Sequence, residues 1–251
     1  EIGLVDLVLF CVKTYDTPAA AELIRPLVGP DTVVFSVQNG IDNTERIGRI
    51  VGPGHVIGAT AYVSSVVENP GVISQTAGRG RIVFGELAGG TSLRTQQLLS
   101  AFQRPGIVAE LCTDIRVELW EKFTAICGFS GVPSLTRLPI GMILACAETR
   151  DFLRGTLEEV EAVARASGVV LPKDCTDRGM RLFAGLEPHA RGSMYYDLAA
   201  GRRLELETLN GTVVRLGREH GIPTPCNFAI YAALKPYADG APAMPVGGQL
   251  P

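Results

Sequence analysis

Apolar and polar positions follow two different rhythms along this 251-residue chain. In the first part, short apolar runs at residues 4–12 and 32–37 alternate with helix-length segments at residues 17–28 and 43–51. A nearly continuous apolar run such as 4–12 is typical of a strand buried on both faces of a parallel sheet. The alternation of strands and helices predicts an α/β unit at the start of the chain.

Further strand patterns follow, and helical patterns then take over. The sequence predicts strands at residues 56–67, 71–75, 81–84 and 106–111, with a helix at 91–102. After Cys112 it predicts helices at residues 113–129, 149–167, 173–183, 204–220 and 227–237. We therefore predict an α/β N-terminal domain at residues 1–112 and an all-α C-terminal domain at 113–238. Residues 239–251, rich in Gly, Pro and Ala, are predicted to form a flexible tail.

Composition narrows the classes of function. A net charge of −3, with acidic and basic residues mixed along the chain, predicts neither a nucleic-acid surface nor a polybasic membrane tether. The longest apolar runs are strand-sized, far below the ~20 residues of a membrane span. The six cysteines form no C-x-x-C pair and the three histidines are far apart, so no local metal motif is present. Buried, reduced thiols and a cytoplasmic location are expected.

Lys122 is the most informative single residue. It falls on the apolar stripe of a predicted helix, together with Ile115, Leu119 and Ile126. Burying an ammonium is costly and lowers its pKa, so a partly desolvated lysine is a natural proton donor to a developing alkoxide. The alternative is a lysine at the edge of the stripe whose amine extends into solvent.

Four further polar residues are candidates for a ligand or catalytic site, but the position of each also allows an ordinary structural role. Asn39 and Lys13 each follow a predicted strand, where ligands of open α/β sheets bind. An Asn-Gly pair equally forms turns, and a lysine at a strand end is equally a solvated one. Glu205 lies off the apolar stripe near a predicted helix start, as a surface glutamate would. Ser193 would also serve as a loop or capping serine.

Taken together, several stretches resemble the ketopantoate reductase (2-dehydropantoate 2-reductase) family in order and spacing over residues 1 to about 235. The stretches that carry the resemblance are Val-Lys-x-Tyr-Asp-Thr at 12–17, Val-Gln-Asn-Gly at 37–40, Trp-Glu-Lys at 120–122, Gly-Ser-Met at 192–194, the segment from Glu205 to Gly211, and Glu-His-Gly-Ile-Pro at 219–223. A single stretch is weak evidence for the family, whereas the whole set in this order is fairly specific for it.

The resemblance implies a Rossmann N-terminal domain, here partial, and a helical C-terminal domain, with the active site between them. It implies reduction of a 2-oxo acid with NADPH. Lys122 would protonate the carbonyl oxygen, and Glu205 would position that lysine and the substrate hydroxyl. Asn39 would bind cofactor or substrate, Ser193 would bind substrate, and Lys13 would lie near the cofactor. No metal is expected, and a homodimer is compatible with the family.

Two departures from the family pattern change what is expected of the start of the chain and of its substrate. The opening strand and its Gly-rich turn are absent, and the chain starts at Glu1, so we expect on the order of 60 residues before it, at ~30 residues per supersecondary unit. The family also places asparagines after the lysine where this chain has Ile126, Ser130 and Ile140. An apolar replacement leaves a substrate hydroxyl unpaired, so a 2-oxo acid less polar than ketopantoate is expected.

Two other functions stay open from the sequence alone. A β-hydroxyacid or sugar-acid dehydrogenase would share the two-domain plan, but it needs a differently placed lysine and a Gly-rich substrate segment that the chain lacks. A non-catalytic binding or assembly protein would fit the missing turn and asparagines, although a scaffold has no use for a lysine on an apolar stripe. The sequence does not identify the 2-oxo acid, distinguish NADPH from NADH, or give the oligomeric state.

Overall fold

The computed structural model describes residues 2–242, apart from the side chains of residues 76–79. The chain forms two compact units, Glu1–Lys122 and Phe123–Pro251. The division falls within a long helix, beyond the boundary predicted at residue 112, because the first turns of that helix pack with the sheet. From residue 243 onwards, the predicted flexible tail lies outside the described residues.

One mixed sheet organises the first unit, and three helices connect its strands. The strands are β1 (Val5–Phe10), β2 (Val28–Ser36), β3 (Val56–Asn69), β4 (Val72–Gly85) and β5 (Val108–Leu111). The helices are α1 (Thr17–Ile24), α2 (Asn43–Val51) and α3 (Leu93–Phe102).

The order of the strands in the sheet follows their order in the chain. Strands β1, β2 and β3 are parallel, β3 and β4 form an antiparallel hairpin, and β5 runs parallel to β4. The predicted α/β unit with a more antiparallel end is confirmed. The strands predicted separately at 71–75 and 81–84 form one continuous strand, because the hairpin pairs Ser65 with Gln75 and Ser64 with Ala77 across the interval.

Helices cover both faces of the sheet. Val34 of β2 packs in a buried cluster with Ala21 of α1, and the next residue, Phe35, packs in a second cluster with Leu98 of α3. Successive strand residues point to opposite faces, so the two clusters lie on opposite sides of the sheet. Strand β1 is less buried than predicted, with Leu9 56% exposed, because within the described residues it is an edge strand paired only with β2.

The first helix is shorter than predicted. Helix α1 ends at Ile24, and a 3-10 turn at Arg25–Leu27 leads directly into β2. Pro26 lies in this turn and has no N–H to continue the helical hydrogen bonds. The strand therefore begins at Val28, before its predicted start at residue 32.

The second unit is helical, as predicted. Its helices, the first of which starts in the preceding unit, are α4 (Ile115–Thr136), α5 (Ile140–Ala145), α6 (Ala147–Ala166), α7 (Cys175–Ala184), α8 (Ser193–Ala199), α9 (Asn210–His220) and α10 (Pro225–Leu234). The short helices α5 and α8 have no counterpart in the prediction. The helix predicted at 204–220 begins only at Asn210, because Leu209 has a ψ of −105°, outside the helical range.

Two fully buried asparagines join four helices of this unit. Asn210 of α9 donates from Nδ2 to Asn227 Oδ1 of α10 at 2.9 Å and to the Cys127 carbonyl of α4 at 3.3 Å. Asn227 donates from Nδ2 and from its backbone N–H to Glu159 of α6, at 2.8 and 2.9 Å. A buried polar group that loses its partner costs about 1–3 kcal/mol, so this network favours one relative arrangement of the four helices.

We expect Asn227→Ala to lower the free energy of unfolding by about 2–4 kcal/mol, because Asn210 and Glu159 each lose a buried partner. Urea unfolding followed by circular dichroism measures this change. Asn69→Ala is the control, since Asn69 is exposed at the end of β3, and it should change stability by less than about 0.5 kcal/mol. Equal effects of the two substitutions would contradict a stabilising role for the network.

Candidate active site

Helix α4 begins against the sheet at places where the strands carry no side chain. A Cβ atom on Gly58 of β3 would lie 2.9 Å from the side chain of Ile115, and one on Gly85 of β4 would lie 2.5 Å from the carbonyl oxygen of Cys112. Neither spacing leaves room for a methyl group in a close-packed interior. Glycine therefore allows the helix to start close to β3, and two turns later Lys122 reaches that strand.

Lys122 is partly buried and held at the sheet. Its Nζ atom donates a 2.8 Å hydrogen bond to the carbonyl oxygen of Ala61 on β3. The backbone of the sheet thus holds the amine. One of the three N–H groups of the ammonium is satisfied in this way.

The ring of Tyr62, the next residue of β3, lies beside the same amine. Lys122 Nζ is 5.8 Å and the guanidinium carbon of Arg81 is 5.0 Å from the ring centroid. The Tyr62 hydroxyl donates to Glu118 Oε2 at 3.3 Å. Burial, and after it the Glu118 carboxylate, raise the pKa of Tyr62 well above its ordinary value, so the hydroxyl stays protonated near neutral pH.

Glu205 is a buried carboxylate, only 7% exposed. It lies in a turn before α9, where its carbonyl oxygen accepts hydrogen bonds from the Leu209 N–H and the Thr208 hydroxyl, both at 3.1 Å. The alternative of a surface glutamate at a helix start is therefore wrong, because the helix starts later and the side chain is buried. Lys122 belongs to the first unit and Glu205 to the second, and their convergence on one substrate stays a prediction.

Lys13 and Asn39 follow the parallel neighbours β1 and β2, so both lie at the same edge of the sheet. The buried side chain of Gln38 joins the two connections, because its Nε2 donates to the Val12 carbonyl at 2.8 Å and to the Thr17 hydroxyl at 2.9 Å. Lys13 and Asn39 are both partly exposed. Gln38 stands in the Val-Gln-Asn-Gly stretch, but its role in joining the two connections has no local signal in the sequence.

Ser193 is exposed at the first position of α8, directly after a glycine that packs tightly on α4. A Cβ atom on Gly192 would lie 2.7 Å from the carbonyl oxygen of Phe129 and 3.0 Å from Cα of Ser130. Pro133, four residues after Phe129, has no N–H to donate to that carbonyl within the helix. The approach of Gly192 fixes the start of α8, and hence Ser193, near the Ser130 turn of α4.

The three positions that depart from the family pattern differ in accessibility. Lys122, Ile126 and Ser130 follow at four-residue intervals and so lie along one side of α4. Ile126 is partly exposed and Ser130 is buried. Ile140, at the start of α5, has no exposed surface. The expectation that Ile140 makes a substrate site less polar is therefore corrected, because its side chain belongs to the core of the second unit.

Across residues 2–242, no group of three or more His, Cys, Asp and Glu side chains is placed to hold a metal ion. The six cysteines all lie in the described residues, and none of them forms a disulfide. No helix in the described part of the chain combines the length and the apolar character that crossing a bilayer requires.

Comparisons with known proteins agree on one family. Residues 1–89 match the family model described as ketopantoate reductase PanE/ApbA, and residues 114–238 match the model of the C-terminal part of the same proteins. The two matches together cover most of the chain. They confirm the resemblance and the order of an α/β part followed by a helical part.

Individual relatives and solved structures show the same similarity along most of the chain. A 2-dehydropantoate 2-reductase of Caulobacter vibrioides is 32% identical over 93% of this chain and 78% of the relative. A crystal structure of a PanE/ApbA family ketopantoate reductase from Ralstonia eutropha JMP134 is 32% identical, with a TM-score of 0.86 over 94% of this chain and 77% of the other. A D-mandelate dehydrogenase, 19% identical with a TM-score of 0.86, shares the fold. The chain belongs to the ketopantoate reductase family, a family of oxidoreductases that act on a CH–OH group.

Proposed function

We propose that the chain reduces a 2-oxo acid to a 2-hydroxy acid, with NADPH as reductant and Lys122 as proton donor. Relatives named 2-dehydropantoate 2-reductase support 2-oxo acid reduction. The observation that carries the proposal is the Lys122 ammonium, partly buried and bound to the Ala61 carbonyl. A cation fixed in a partly desolvated place stabilises negative charge on a carbonyl oxygen better than one in water.

In the proposal, the dinucleotide binds at the sheet edge where β1 and β2 end. Lys13 and Asn39 offer an ammonium and an amide there, which suit the phosphate and the hydroxyl or amide groups of such a cofactor. Bound NADPH would supply the hydride that the keto carbon receives. In the proposal Lys13 and Asn39 hold the cofactor, and Asn39 also contacts the substrate.

The reduction leaves negative charge on the carbonyl oxygen, and Lys122 gives its proton to that atom. Glu205, as a buried carboxylate, would orient the lysine and bind a hydroxyl of the substrate. A nearby carboxylate also keeps the lysine charged, against the desolvation that favours a neutral amine. Ser193, an exposed residue at the start of α8, would bind the substrate as well.

Lys122→Ala should lower the turnover number by ~10²–10⁴, the usual range for loss of a general acid, while NADPH affinity changes little. The rate of NADPH oxidation with a panel of 2-oxo acids measures the first quantity, and calorimetry the second. Lys173→Ala is the matched control, because Lys173 is an exposed lysine of the second unit. A near-wild-type rate in Lys122→Ala would remove the central claim, and faster oxidation of NADH would reassign the cofactor.

The substrate class proposed here follows from Ile126. It lies one helical turn from Lys122 on the same side of α4 and is partly exposed, so it offers apolar surface near the donor. An apolar contact at this point leaves a substrate hydroxyl without a partner and tolerates a hydrocarbon side chain. We therefore propose a 2-oxo acid with an apolar side chain in preference to ketopantoate.

Ile126→Asn should shift the preference towards ketopantoate over 2-oxoisovalerate by about tenfold, the effect of one added hydrogen bond of ~1.4 kcal/mol. The ratio of kcat/KM for the two acids measures this shift. Ile140→Val is the control, since Ile140 has no exposed surface and the ratio should stay unchanged. A wild-type protein that already preferred ketopantoate a hundredfold would show this interpretation of Ile126 to be wrong.

A further inference from the structure

Lys122 has a second neighbour on β3 whose chemistry suits an ammonium. The Ala61 carbonyl accepts one hydrogen bond from the amine, and the ring of the next residue, Tyr62, lies with its centroid 5.8 Å from Nζ. A cation within about 6 Å of an aromatic ring is attracted by the negative potential of the ring face. Two consecutive residues thus contact the amine. The Ala61 carbonyl accepts a directional hydrogen bond, and the Tyr62 ring attracts the positive charge of the ammonium.

We propose that Tyr62 is a positioning residue that keeps the ammonium of Lys122 in place for proton transfer. The proposal rests on the proposed role of Lys122 as proton donor. A lysine side chain has four rotatable bonds, and a hydrogen bond to a carbonyl fixes the direction of a single N–H group. The ring restricts the amine further and favours its charged form, which is the form that donates a proton.

The Tyr62 hydroxyl contacts the helix that carries Lys122. Its acceptor is Glu118, four residues before Lys122 on α4. At 3.3 Å this bond is long for an O–H···O contact, so the ring, and not the hydroxyl, is the group assigned to position the amine. The charged groups around the ring are the Lys122 and Arg81 cations and the Glu118 and Glu121 carboxylates. The raised pKa of Tyr62 keeps its hydroxyl a donor across the pH range in which a reductase of this kind would be assayed.

The Arg81 cation near the ring is bound elsewhere. Its guanidinium forms two hydrogen bonds with the Glu110 carboxylate, at 2.9 and 2.7 Å, across the paired strands β4 and β5. The Glu110 carboxylate offsets part of the positive charge of Arg81, and the ring contacts both cations.

The test compares two variants of Tyr62 in the full-length protein. Tyr62→Leu removes the ring and should lower kcat by about 3- to 30-fold, the range expected from one cation–π contact, with KM changed less than about twofold. Tyr62→Phe keeps the ring and should stay within about threefold of the wild-type kcat. If the leucine variant does not fold by circular dichroism, Tyr62→Met supplies a flexible apolar side chain in its place.

A second readout does not depend on enzymatic activity. Acetic anhydride acylates only neutral amines, so the pH dependence of Lys122 acetylation, followed by peptide mass spectrometry, reports how strongly the charged form is favoured. In Tyr62→Leu, half-maximal labelling should move to lower pH, and in Tyr62→Phe it should stay with the wild type. If Lys122→Ala retains full reductase activity, the proposed function fails while the labelling result still decides whether Tyr62 holds the amine.

The chain also provides a matched control. On the surface of the second unit the Tyr231 hydroxyl donates to the Glu207 carboxylate at 3.2 and 3.1 Å, and the ring of Tyr231 lies 5.4 Å from Lys235 Nζ. Tyr231→Leu removes an equivalent contact between a tyrosine, a glutamate and a lysine at a place away from Lys122. It should leave kcat and the labelling of Lys122 unchanged. Wild-type kcat and labelling in Tyr62→Leu, or an equal loss in Tyr62→Phe, would overturn the assignment of the ring as the positioning group.

Discussion

Helix α4 can approach the sheet as closely as it does only because two strand positions carry no side chain. Gly58 and Gly85 lie where any Cβ atom would collide with the start of the helix or with the segment leading into it. A larger residue at either position would move the helix away from β3, and the 2.8 Å bond between Lys122 and Ala61 would be lost with it. The candidate proton donor thus depends on two residues that have no functional group.

The later turns of α4 are fixed by a different kind of contact. The Cys127 carbonyl accepts from the amide of Asn210, and Gly131 leaves room for that amide, since a Cβ there would lie 3.0 Å from it. Asn210 opens α9, directly after the turn that contains Glu205. Hydrogen bonds are directional, so the amide network determines the orientation of this turn as well as its burial. The position of a buried carboxylate is therefore set by residues that are not themselves part of the candidate chemistry.

The sequence predicted those features that depend on local spacing. The bounds of α2 and the succession of an α/β part and a helical part follow from apolar periodicity, and the structure agrees. Helices α5 and α8, of six and seven residues, are too short to show a helical period. The burial of Glu205 and of Ile140 depends on packing against distant segments, which periodicity does not register. The contact of Lys122 with Ala61 spans 61 residues of chain and has no local signal at all.

Because α4 is one continuous helix, its backbone sets the distance between Lys122 and Ile126 at a rise of about 6 Å for four residues. A mutation at residue 126 changes the surface beside the amine but leaves the amine where it is. In the proposed function, the substrate contact at residue 126 can therefore change while the proton donor stays as it is. A single substitution on this helix would then alter which 2-oxo acid is accepted and leave the reducing chemistry intact.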